Sequence, residues 1–477
     1  MRDDCNLIPV QSDVNQFLDN ECFMLDTDVA DIFKKFKIGS LLNACNIQKR
    51  TGHPVHQIVF DLVNVPFLFL SNVFLFVRSQ YEKAASDKNR FYRLLENATY
   101  NWRLFTLKLS YLIYNELPPE KAEEEFFVID DTIIQITGKL VEAASYVFDH
   151  ISGKSVLGFQ KLVLGIFNGS HFIPIGQKIC RGKHRPEAKS HAKKYKKVPK
   201  SERIDPQSPG ALERNALTQT KLKGAISLLK AARKKGFKAK SVLLDSWFCF
   251  NSFIKKVVGD LQLNVICQLK NMPGPNKYQY QGNAYSLKEL FSYYARNRLR
   301  RVKKYQVKRS VLVVRLPESA IRLKIVFIQN DGADKWHAFA ATDTRLSAPA
   351  ILAYYSQRWS IEVFFKNCKQ YLNYGKEQMS NLDSIIACDA LVFMRYIFLT
   401  YLASKDKTSF YDRFNAIRDA HTTKTFGMRL LTYFLNKLQF IVNEITQLIK
   451  EGYHEEAIQL LETLTNFSRN PGKFQLI

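Results

Sequence analysis

Apolar positions recur at helical spacing from the N-terminus to about residue 115, for example in Asp31-Ile-Phe-Lys-Lys-Phe and Ile58-Val-Phe-Asp-Leu-Val. Two of the predicted helices, Ile38 to Ile47 and Pro54 to Val63, flank the basic, glycine-containing turn Gln48-Lys-Arg-Thr-Gly-His. That outline fits either a helix-turn-helix reader of DNA or two packed helices joined by a solvated turn. The pattern changes at Phe126. Phe127-Val-Ile reads as a short buried strand stopping at Asp130-Asp131-Thr132. Phe159 to Phe167 and Phe172 to Ile179 read as strands around the hairpin turn Asn168-Gly169-Ser170. Ala211 to Lys235 predicts one amphipathic helix closed by Gly236, and Ser241 to Leu244 predicts a strand ending at Asp245.

Beyond a strand at Leu263 to Leu269, residues 278–340 carry further strand-like runs, Val311-Leu-Val-Val, Ile325-Val-Phe-Ile and Trp336-His-Ala-Phe-Ala. One long helix is predicted over Pro349 to Tyr371, then a helical tail from Ile385 to about Phe467. The chain thus divides into five expected parts: a helical, DNA-binding region 1–115; an α/β core in two pieces, 116–268 and 346–405; a β-rich insertion 269–345; and a helical C-terminal region 406–477.

Charge narrows the function classes. The 477 residues hold 70 Lys+Arg against 44 Asp+Glu, a net +26, which suits a polyanionic partner better than a small acidic substrate. The excess gathers in Arg181 to Arg203, which includes Arg185, Lys193, Lys194, Lys196 and Lys197, and in Arg296 to Arg309, which includes Arg298, Arg300 and Arg301. Each stretch is either a set of phosphate contacts or solubilising charge. The eight cysteines show no zinc-ligand spacing and read as reduced core thiols. The polar, acidic start has no signal-peptide layout, and Val65 to Val77 is too short to span a bilayer. A cytoplasmic protein without a membrane partner is expected.

Three separated acids stand out: Asp130 or Asp131 at one strand end, Asp245 at another, and Glu362 within a helix. Carboxylates at adjacent strand ends converge, and a helix packed on that edge adds a third. Such oxygen ligands hold Mg²⁺ with positions left open for phosphate and water, and two ions clamp both oxygens of an in-line displacement. In the predicted helix, Tyr355, Arg358, Glu362 and Lys369 fall within an arc of about 60° at 100° per residue. Ile361, Phe364, Phe365 and Cys368 fill the adjoining apolar arc.

The spacing from Tyr355 through Arg358 and Glu362 to Lys369 resembles the Tyr-Arg-Glu-Lys signature of DDE-type bacterial insertion-sequence transposases. Ile129-Asp-Asp-Thr, Tyr146-Val-Phe-Asp-His, Gly158-Phe-Gln-Lys-Leu-Val-Leu-Gly and Leu244-Asp-Ser-Trp-Phe extend the resemblance over about residues 125–405. It implies an α/β fold: an RNase H-like mixed-sheet catalytic core with a β-rich insertion before the helix carrying the glutamate. It also implies Asp130, Asp245 and Glu362 as catalytic, metal-binding acids holding two Mg²⁺ (Mn²⁺ able to substitute). An Asp-x-Thr register selects Asp130; alignment on the apolar run selects Asp131 instead, and strand alternation admits only one of them to the site. Tyr355, Arg358 and Lys369 are implied as phosphate contacts. Trp336 is either an aromatic for a flipped base or a core residue. The expected activity is cutting double-stranded DNA at element ends and joining the ends to target DNA, by a homodimer on DNA. A nuclease or recombinase without strand transfer, and a catalytically dead DNA-binding relative, are the alternatives.

Overall fold

The computed structural model describes residues 27–79, 88–119, 124–150, 152–182, 205–271, 276–302, 306–330 and 334–420, with scattered positions between 443 and 458. The chain forms two units, 28–414 and a second made of 1–27 with 415–477. Of the second unit, residues 415–420 and 445–450 are helical.

Helices come first: α1 (Thr27–Lys35), α2 (Ile38–Asn43), α3 (Val55–Asn64), α4 (Val73–Val77), α5 (Asn89–Leu95) and α6 (Trp102–Glu116). Their apolar faces, such as Ile58, Val59, Leu62 and Val63 of α3, are buried. Four strands follow, β1 (Phe126–Gln135), β2 (Ser145–Asp149), β3 (Lys154–Phe167) and β4 (Phe172–Cys180). Then come α7 (Pro209–Ala216), α8 (Lys221–Lys235), β5 (Ser241–Leu244), α9 (Asn251–Leu261) and β6 (Asn264–Leu269). Strands β1, β5 and β6 run parallel, while β3 pairs antiparallel to β1 and β4 to β3. Strands β4-β3-β1-β5-β6, with helices on the sheet, are an RNase H-like core.

The β-rich stretch contains β7 (Tyr278–Tyr280), β8 (Asn283–Tyr285), α10 (Leu287–Leu290), β9 (Arg300–Val302), β10 (Val307–Arg315), β11 (Arg322–Asn330) and β12 (Trp336–Ala341). It does not form a separate layer. Because β12 pairs with β6, its strands prolong the core into one 12-stranded sheet. The chain then returns through α11 (Ala348–Ser356), α12 (Trp359–Tyr371) and α13 (Leu382–Asp406). Helix α13 is long and apolar enough to cross a membrane by length and composition, and here it is packed inside the fold.

Three sequence expectations need correction. First, β1 does not stop at its carboxylates. Its parallel pairing with β5 ends at Ile129 opposite Leu244, but it continues to Gln135 on its antiparallel pairing with β3. Second, Ala211–Lys235 is two helices, because Thr220 caps Lys223 N and restarts the chain as α8; Gly236 does end it, at φ 110°. Third, Pro349–Tyr371 is broken. Arg358 N bonds to Tyr355 O and Ile361 N to Arg358 O, tight i→i−3 bonds that separate α11 from α12.

Both glycines of the Gly158…Gly165 run are sterically required. A Cβ on Gly158 would lie 2.2 Å from the Ile134 carbonyl oxygen, and one on Gly165 would lie 2.1 Å from the Phe172 ring. Buried polar residues fasten the layers. Lys161 of β3 donates to Asp389 of α13 at 2.6 Å, and Gln177 of β4 donates to the same carboxylate. Arg395 of α13 donates to Leu62 O and Val63 O near the end of α3 and to Leu372 O at the end of α12. A single guanidinium thereby caps two helix C-termini, where a cation opposes the helix dipole.

Candidate active site at the end of the parallel strands

The last paired residues of β1 and β5 are Ile129 and Leu244, so Asp130 and Asp245 emerge side by side where the parallel ladder stops. Asp245 caps the short turn Ser246–Phe248 that follows β5. Its charge is felt at Asp130. Burial pushes Asp130 up to about 7; the Arg358 guanidinium opposes that rise, and Asp131 and Asp245 add to it.

Alternation along β1 sends the two adjacent acids to opposite faces. Asp130 Oδ2 accepts from Arg358 Nη1 at 2.8 Å. Arg358 also donates to Glu362 Oε1, so one part-buried guanidinium bridges two of the three acids. Asp131 instead accepts from Lys221 Nζ at 2.5 Å and from Gln160 Nε2 at 2.6 Å.

The turn that breaks the long helix is what brings Arg358 to Asp130. With three residues per turn, positions i and i+3 eclipse, and the guanidinium lies 5.8 Å from the Tyr355 ring centroid. Tyr355 donates to Gln268 Oε1 of β6 at 3.2 Å and packs against Phe339 of β12. Burial pushes its phenol far above its ordinary range. Lys369 sits near the other end of α12, donating to the Ile133 carbonyl at 3.2 Å; burial lowers its ammonium, with Asp149 opposing. On the packed side of α12, Ile361, Phe364, Phe365 and Cys368 are buried as their spacing predicts. Trp359, by contrast, is 62% exposed.

The other predicted contacts lie elsewhere. Trp336 is half-buried at the start of β12, with one face stacked on Phe291 at 4.4 Å and Phe327 edge-on. Arg300 and Arg301 are exposed on β9, and nearby Arg298 donates to Tyr280 Oη. Strand β9 is six strands from β1 in sheet order, about 29 Å at a spacing near 4.8 Å. Arg185, Lys193, Lys194, Lys196 and Lys197 fall outside the described residues. Sequence reasoning assigned no role to Lys221 and Gln160, which bond Asp131, or to Trp247, whose ring lies against Lys221. Gln160 and Trp247 carried a signal, within Gly158-Phe-Gln-Lys-Leu-Val-Leu-Gly and Leu244-Asp-Ser-Trp-Phe; Lys221 carried none.

The donor set suits a hard divalent cation: three carboxylates from three elements, two of them repelling each other at adjacent strand ends. Among the described residues no three acid, His or Cys side chains stand close enough to hold an ion as they lie. Arg358 is interposed between Asp130 and Glu362.

Residues 78–272 match the family model of the DDE superfamily endonuclease, and residues 218–398 match that of the transposase DDE domain. The two spans overlap across β5, and between them contain every residue of the carboxylate cluster. No curated protein matches the chain.

Proposed function

We propose that this chain, which belongs to the DDE-type transposases, cuts DNA at the ends of an insertion sequence and joins those ends to target DNA, with Asp130, Asp245 and Glu362 as its catalytic acids. A DNA-cutting enzyme that uses divalent metal follows from the family. Strand transfer, Mg²⁺ as the ion, a pair of ions, the Tyr-Arg-Glu-Lys subtype, a dimer on DNA and action in the cytoplasm are parts of the proposal. The observation that carries it is the convergence of Asp130 and Asp245 at the end of the parallel ladder, with Glu362 tied to Asp130 through Arg358.

The three acids would hold the metal, which when bound activates the attacking oxygen and stabilises the leaving one. Everything else falls to the protein. Asp130 is held away from bulk water, so its charge is strongly felt by whatever cation approaches. Arg358 keeps Asp130 and Glu362 oriented toward each other, and its charge is placed to meet a backbone phosphate. Tyr355 is fixed by Gln268, leaving its ring as a wall between Arg358 and Phe339. Asp130, rather than Asp131, is taken as the first ligand because Lys221 and Gln160 already satisfy Asp131 on the opposite face.

Purified Asp245→Ala and Glu362→Ala variants should lose Mg²⁺-dependent cleavage of labelled element-end DNA while binding it nearly as tightly as wild type, since affinity comes from Lys and Arg contacts. Undiminished cleavage by either variant would refute the assignment. Joined donor–target products, as opposed to nicks alone, would separate a transposase from a nuclease.

A further inference from the structure

Trp247 is a large aromatic ring that is 41% exposed, two residues beyond Asp245. Its backbone N–H points at the Asp245 carboxylate, 3.5 Å from Oδ2. The ring is held in place. The Lys221 ammonium lies 3.3 Å from its centroid, and Phe248 and Phe250 pack edge-on at 5.1 and 6.1 Å. Lys221 is itself nearly buried, with its charge committed to Asp131 at 2.5 Å, and Asp131 is steadied by Gln160. A continuous chain of contacts therefore runs from Gln160 through Asp131 and Lys221 to Trp247. It lies on the face of β1 opposite the one that presents Asp130 to Arg358.

A buried lysine is costly unless its charge is paired, and beneath a tryptophan it also gains cation–π attraction. Here the pairing covers one face of a ring that is 41% exposed and stands two residues beyond Asp245, on a chain of net charge +26. We infer that Trp247 stacks on a nucleobase of the strand being cut, next to the phosphodiester at Asp245, and that Lys221 and Asp131 are positioning residues for that ring. Any base offers a π-face, so this contact needs no particular sequence. It does need an unpaired base, because a base inside the duplex has both faces covered. The inference rests on the proposed DNA-cutting role of the Asp245 site, but its test does not depend on cutting.

The test is binding in EDTA, by anisotropy, of a duplex with one frayed single-stranded arm carrying 2-aminopurine, against the same duplex fully paired. Wild type should quench 2-aminopurine and prefer the frayed DNA. Trp247→Ala should lose the quenching and bind the frayed arm roughly 5- to 150-fold more weakly, the alanine cost of one base–aromatic stack. Its affinity for paired duplex should be unchanged, which also shows that it is folded. Trp247→Phe should keep most of both signals. Lys221→Met and Asp131→Asn should weaken quenching without altering the salt dependence of binding, since Lys221 is spent on Asp131. Equal quenching by wild type and Trp247→Ala would overturn the inference, as would loss confined to Trp359→Ala. A Lys221→Met salt slope shallower by about 0.9 would also overturn it, making Lys221 a phosphate contact. Wild type that stacks but never cuts, with any divalent cation, would instead count against the catalytic reading alone.

Discussion

Replacing Lys161 by methionine tests how the sheet is fastened to the helices behind it. Lys161 is fully buried on β3, opposite Thr132 of β1, two residues beyond Asp130. Its ammonium meets Asp389 of α13 at 2.6 Å and Glu377, just past α12, at 3.5 Å. Methionine keeps the apolar stem and deletes the charge, leaving Asp389 with Gln177 as its remaining partner. Removing one member of a buried ion pair costs about 3–5 kcal/mol. The surviving amide donor places this case near the lower end, about 3 kcal/mol at pH 8. The loss should depend on pH. Burial already pushes Asp389 above the ordinary carboxylate range, and Lys161 is the chief influence opposing that. A carboxylate raised in the folded state leaves stability intact at low pH and erodes it as pH rises through the folded value. Without Lys161 the rise is larger, so the deficit should be smaller at pH 5 than at pH 8. Urea titrations of wild type and variant at both pH values, followed by tryptophan fluorescence, measure this. The double variant Lys161→Met/Asp389→Leu should recover much of the loss, because an apolar pair of similar volume no longer strands a charge. A deficit below about 1 kcal/mol, or one equal at both pH values, would refute the reasoning.

Two further outcomes are expected. Asp130→Asn should abolish cleavage, while Asp131→Asn should retain part of it, because Asp131 faces Lys221 and Gln160; the reverse ranking on one oligonucleotide would move the first acid by one residue. Arg358→Gln and Lys369→Gln should weaken binding about equally for all DNA sequences and shallow the log–log salt slope by roughly 0.9 for each phosphate left without its cation; unchanged slopes with unchanged cleavage would leave this helix face purely structural.

The local character of the chain is legible in its residues. Buried runs such as Phe127-Val-Ile and Ser241 to Leu244 are strands because short apolar runs with β-branched residues suit the interior of a parallel sheet, and Gly236 ends its helix because it tolerates the left-handed conformation. The three acids and the Tyr355–Lys369 spacing are likewise visible in order along the chain, because metal and phosphate chemistry restricts which residue types serve. Pairing and partners were decided elsewhere. That β1 runs on past Asp130 depends on β3, whose long antiparallel register supports it where β5 has ended. That the insertion continues the core sheet depends on β12 finding β6. Above all, Asp130 and Asp131 are equivalent as letters. Only their placement on alternate faces of one strand, between Arg358 on one side and Lys221 on the other, separates them. Those partners lie 228 and 90 residues away in sequence. No local pattern encodes such a meeting, because it is the packing of α8 and α12 on opposite faces of the sheet that creates it.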